Sequence, residues 1–89
     1  MTTVVVTHAV GNMDTWLAGG DHRKAVFANF CSSYRILRHS DAKLVSIVCE
    51  NVDLAKMKST LSTPETEAAK AADTVIDPVE IYIEVEGGK

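Results

Sequence analysis

The sequence is poor in several things, and each shortage removes a class of explanation. Two cysteines, Cys31 and Cys49, are too few for a disulfide framework, and both read as reduced core residues. With only two prolines and five glycines there is no low-complexity linker, and 89 residues hold one domain with one small core. Positive charge is not in excess: nine Lys and Arg against twelve Asp and Glu give a formal net charge of −3. A nucleic-acid partner, which calls for a basic stripe, is therefore not expected. Apolar runs such as Val4 to Val6 fall far short of the about 20 residues that a bilayer-crossing helix needs, so no membrane partner is expected either. No charged-then-apolar segment opens the chain, and the expected location is the cytoplasm. The three histidines, His8, His22 and His39, show no metal-ligand spacing, and neither a metal nor a cofactor is expected. Gly19-Gly20 lacks the spacing of a dinucleotide or phosphate loop. No Ser-His-Asp or Cys-His set can be placed.

What is present is a clear succession of elements. The β-branched stretch 2–10, "TTVVVTHAV", predicts a strand ended by Gly11-Asn12. A short helix follows over "MDTWLAGG", opened by Asn12 or Asp14 and stopped by the two glycines. Helical spacing restarts in "DHRKAVFANF" with Asp21 as expected N-cap and with Val26 and Phe30 on one face. "SSYRILRH" (32–39) and "KLVSIVCENV" (43–52) read as two strands joined by a tight turn. Asp53 is placed to cap "DLAKMKSTL", and Thr63 with Pro64 opens a further helix in "STPETEAAKAADTVI". The last strand, "DPVEIYIEVE" (77–86), alternates Val79, Ile81, Ile83 and Val85 with Glu80, Tyr82, Glu84 and Glu86. The glycines then end one helix segment and hinge the next.

The order β-α-β-β-α-β is that of a ferredoxin-like α+β fold, a four-stranded antiparallel sheet with the helices on one face. Strands one and three carry apolar side chains on both faces: Val4 and Val6 against Val5, and Val45 and Ile47 against Leu44 and Val48. The second face is too apolar to stand bare, and a homodimer through that open face is expected. Arg35 and Arg38 are expected to pair with Glu50, Glu80 or Glu84.

Four segments carry a resemblance: Asp14-x-Trp16 after the first strand, the junction "ENVDLAKM", the helix start Thr63-Pro64-Glu65, and the final "DPVEIY". Together they are similar to the dimeric α/β-barrel proteins, and most to the small antibiotic-biosynthesis-monooxygenase-like and uncharacterised stand-alone members, over about residues 4–85. The resemblance implies the fold, the dimer, and a pocket between the first helix and the sheet. It also brings a range of activities, among them cofactor-free oxygenases, cyclases and isomerases. This chain departs from such relatives at Gly19-Gly20, which interrupt a helix that is otherwise unbroken.

Strand alternation and chain order nominate His8, Trp16, His22, Arg23, Tyr34, Arg35 and Tyr82, with Phe27, around that pocket. His8 or His22 could take a proton from a phenol or enol, and Arg23 or Arg35 could hold the resulting oxyanion. Trp16, Phe27, Tyr34 and Tyr82 could stack on an aromatic ring. An enzyme of this kind, a cofactor-independent monooxygenase, cyclase or isomerase on an aromatic or polyketide-like substrate, predicts a closed pocket of at least ~300 Å³. The alternative is a non-catalytic dimeric module for ligand binding or assembly, whose pocket is filled by Trp16, Phe27, Phe30 and Tyr82.

Overall fold

Alternating burial along Thr2–Val10 makes the first strand, β1, of the computed structural model, which describes residues 2–88. Val4, Val6, His8 and Val10 point to the core face, and Thr3, Val5, Thr7 and Ala9 to the other. Then follow α1 (Met13–Ala18), α2 (Gly20–Phe27), β2 (Ser33–Arg38), β3 (Leu44–Val52), α3 (Leu54–Leu61), α4 (Pro64–Ala72) and β4 (Val75–Ile83). The four strands form one antiparallel sheet in the order β2-β3-β1-β4, the ferredoxin-like arrangement with each helical stretch split in two. Val6 sits between Ile47 and Ile81 in the registers of its two neighbours. Val4, Val6 and Val10 of β1 and Val45, Ile47, Cys49 and Val52 of β3 join Trp16, Phe27 and Met57 from the helices, and Phe30 after α2, in one buried cluster.

The helix starts follow local chemistry. The side chains of Asn12, Asp53 and Thr63 accept hydrogen bonds from the backbone N–H of Thr15 (3.0 Å), Lys56 (3.1 Å) and Thr66 (3.2 Å). Each such cap is worth about 1 kcal/mol. Pro64 occupies the first turn of α4, where its missing N–H costs nothing. Asp21, expected as an N-cap, instead sits in the first turn of α2, and Gly19 is the cap. The reason is that Gly19 serves both helices. Its N–H closes α1 on the Trp16 carbonyl (3.2 Å), and its carbonyl accepts the Arg23 N–H (3.0 Å) that opens α2.

β4 begins at Val75, two residues before the expected start, because β-branched Val75 and Ile76 pair with Val10 and Ala9. The register then breaks: the step from Thr7 to Ala9 on β1 faces the four-residue step from Glu80 back to Ile76 on β4. Pro78, which has no N–H to give a ladder, lies inside this bulge. His8 is the β1 residue opposite it.

Beyond the bulge, Val79 and Ile81 face the helices, while Glu80 and Tyr82 share the open face with Thr7 and Val5. Leu37, Leu44, Val48 and Ile76 extend that face, which carries no helix. Arg35 pairs there with Glu50 at 3.5 Å, as expected. Arg38 points to the other side of β2 and makes no ion pair among the described residues.

Candidate functional site

A cavity of about 210 Å³ lies between the helices and the sheet. It is smaller than the ~300 Å³ expected of a ligand pocket. It also opens along β4, where Ile81 is 46% exposed. β1 supplies His8 to its wall, α1 supplies Trp16, α2 supplies His22, Arg23 and Phe27, and α4 with the residue that ends it supplies Thr66, Lys70 and Asp73.

His8 is 6% exposed, and its Nδ1 lies 2.9 Å from the Ala9 carbonyl. A carbonyl can only accept, so this contact assigns the proton to Nδ1 and leaves Nε2 as the basic nitrogen. The ring meets Trp16 edge-on, with centroids 5.8 Å apart. Burial pushes the His8 pKa below its ordinary 6.5. The hydrogen bond to Ala9 opposes that shift, the charges of Arg23 and Lys70 reinforce it, and Asp77 opposes it. His8 is therefore a neutral imidazole at neutral pH, the form that can accept a proton.

Arg23 is equally buried, at 6% exposure, with its Cζ 3.6 Å from the Trp16 ring centroid. Stacking of this kind is worth about 0.5–2 kcal/mol, more where water is excluded. Its Nη2 donates to the Trp16 carbonyl and to Asp73 Oδ2 (3.2 Å). Its Nη1 is buried and has no partner among the described residues. A free donor on a buried cation is costly to leave empty, and it is the group here best suited to a ligand oxygen.

The two glycines have different reasons. A Cβ at position 19 would stand 2.8 Å from Asp73 Oδ2 and closer still to Oδ1, whereas one at position 20 would meet nothing within 4 Å. Gly19 makes room for the carboxylate that holds Arg23. Lys70, the second cation on the wall, pairs with Asp77 at 3.1 Å and Glu67 at 3.5 Å.

The other sequence candidates divide. Trp16 and Phe27 line the cavity, and exposed His22 stands at its rim. Tyr34 packs on Phe27 at 5.1 Å, one layer back, and burial raises its pKa. Arg35 and Tyr82 are corrected: their strand positions put them on the opposite face of the sheet, with Tyr82 57% exposed. Tyr82 therefore does not fill the pocket, and Phe30, buried in the core cluster, does not line it. His39 is occupied in its turn, where Nδ1 accepts from the N–H groups of Asp41 (3.0 Å) and Ala42 (2.9 Å). Both cysteines are free, and burial pushes the Cys49 thiol up to about 12, which leaves it protonated and inert at neutral pH. Among the described residues no three His, Cys, Asp or Glu side chains gather as metal ligands, and no helix is long and apolar enough to cross a membrane.

Asp73, Lys70 and Thr66 belong to the site although no motif in the sequence singles them out. Their spacing is that of one helical face, with Thr66 to Lys70 four apart and Lys70 to Asp73 three apart, and that stripe is the one signal the sequence offers for them.

No protein-family model and no curated protein matches the sequence. Solved structures do match. The fold is that of the antibiotic biosynthesis monooxygenase structures. A candidate monooxygenase of that kind from Bordetella bronchiseptica superposes with a TM-score of 0.71 at 14% identity, over 96% of this chain and 97% of that one. One from Caulobacter crescentus gives 0.68 at 21% identity, over 92% and 85%. SnoaB, a cofactor-independent oxygenase from Streptomyces nogalater, gives 0.66 at 18% identity, over 94% and 90%. Identities this low establish a shared architecture and leave activity to the site.

Proposed function

We propose that the cavity binds a small phenolic or enolisable aromatic molecule and that His8 takes a proton from it, opening a cofactor-independent oxygenation. The observation that carries this reading is that one cavity is lined both by His8, a neutral imidazole with its proton on Nδ1, and by Arg23, whose buried Nη1 has no partner among the described residues. Removal of a proton from a methylene conjugated with a carbonyl leaves a carbanion whose charge is delocalised onto oxygen, where Arg23 Nη1 stabilises it. That carbanion can add dioxygen itself, so the substrate supplies the electrons. Return of the proton from His8 gives a hydroperoxide, and loss of water from it leaves a new carbonyl. One dioxygen is consumed, with one oxygen atom in the product and one in water. SnoaB, a cofactor-independent oxygenase of the same fold, supports this chemistry as one the architecture can host.

The test is oxygen uptake with anthrone, whose methylene is acidic and whose oxidation product, anthraquinone, is directly visible. The expected result is one dioxygen per anthrone, with a rate about 10²-fold lower in His8→Gln. Equal rates in wild type, His8→Gln and buffer contradict a catalytic role. The cavity's 210 Å³ favours a second reading, in which the protein binds a small ligand without turnover. Binding with no oxygen uptake is its signature. The apolar open face further supports a homodimer in either reading.

A further inference from the structure

We propose that Asp73 is a positioning and specificity-determining residue of this cavity: it holds Arg23 in place and cancels its charge, so that neutral ligands with an acceptor oxygen are selected over carboxylates. The proposal rests on reading the cavity as a ligand site. A guanidinium as buried as that of Arg23 needs a counter-charge, and Asp73 reaches it from the end of α4. That approach requires glycine at position 19, since a Cβ there would come within 2.8 Å of Oδ2 and nearer still to Oδ1. The φ of Gly19 is −81°, open to any residue, so it is room and not backbone freedom that the position needs.

Lys70 is matched in the same way by Asp77 and Glu67. Both Lys and Arg side chains on the cavity wall thus have carboxylate partners, while one donor, Arg23 Nη1, stays free among the described residues. A donor without excess positive charge suits a carbonyl or phenolic oxygen. A carboxylate would carry an uncompensated charge into a largely apolar chamber.

Trp16 is the only tryptophan and stacks on Arg23, so its single indole N–H resonance reports occupancy by NMR. The probes are 2-naphthol and 2-naphthoate at about pH 7.5, where the first is neutral and the second ionised. Wild type is expected to bind 2-naphthol about tenfold more tightly than 2-naphthoate. Asp73→Asn keeps an acceptor for Nη2 but removes the charge, and it should move that ratio toward 2-naphthoate by about tenfold. Gly19→Ala drives the carboxylate off Arg23 and should move the ratio the same way, which covers the case in which Asp73→Asn does not fold. A general loss of structure would weaken both ligands and leave the ratio alone. A ratio unchanged by both substitutions, or a wild type that already prefers 2-naphthoate, overturns the proposal while leaving the ligand site standing. If neither probe moves the Trp16 signal, the ligand-site reading falls as well.

Discussion

Why His8 is buried beside two cations, yet not charged itself, follows from its neighbours. Placed on the core face of β1, it loses water on folding, and Arg23 and Lys70 further disfavour a second positive charge. The consequence reaches stability. Because the folded state holds His8 below its ordinary 6.5, the unfolded chain binds the proton first as pH falls. The contribution of neutral His8 is complete above pH 6.5 and is lost as pH drops through 6.5 and on through the lowered value. Denaturant unfolding measured at steps of pH should show this decline, and His8→Gln should flatten that part of the curve. An identical slope in both proteins contradicts the assignment. The partner residues of His8 explain what the sequence could and could not tell. Its place on the core face is legible from strand alternation, but the charges around it come from α2 and α4, which only the tertiary fold brings together.

The junction of α1 and α2 shows the same division. A break at Gly19-Gly20 is legible because glycine is poor in a helix interior. That only the first of them makes room for the Asp73 carboxylate is not, since no local pattern links 19 to 73. The two positions should respond in opposite senses. Gly20, where an added methyl group would meet nothing within 4 Å, should tolerate alanine and gain about 0.4–1 kcal/mol from a less flexible unfolded chain. Gly19→Ala should lose stability because Asp73 must move. Thermal melts of the two variants check this, and equal responses would remove the argument for Gly19 as the seat of Asp73. Caps are read more easily: Asn12, Asp53 and Thr63 act within three residues of themselves, so sequence alone places them. The start of β4 is harder, because Val75 and Ile76 continue a helical stretch in sequence and join the sheet only through Val10 and Ala9.

Across the molecule, the sheet has one face covered by helices and one left apolar, and alternation in β1 and β3 makes that visible in the sequence. The sidedness of β2 and β4 is less accessible, because an edge strand with mixed residues can be read in either register. For that reason Arg35 and Tyr82 read as pocket residues in sequence, whereas in the folded sheet they belong to the open face. Val48, between Val5 and Arg35 at the middle of that face, is the position where a charge should matter most. The wild-type protein is expected to sediment as a dimer at micromolar concentration, and Val48→Lys as a folded monomer. A wild-type monomer contradicts self-association through the sheet.

The proposed function rests on one nitrogen atom, and imidazole NMR of His8 addresses it directly. In uniformly ¹⁵N-labelled protein, His8 is expected to hold its proton on Nδ1 at neutral pH and to titrate below 6.5. Its Nε2 signal should shift when a phenolic ligand enters the cavity. A proton on Nε2, or titration at the ordinary value with no response to ligand, would leave the cavity without its base.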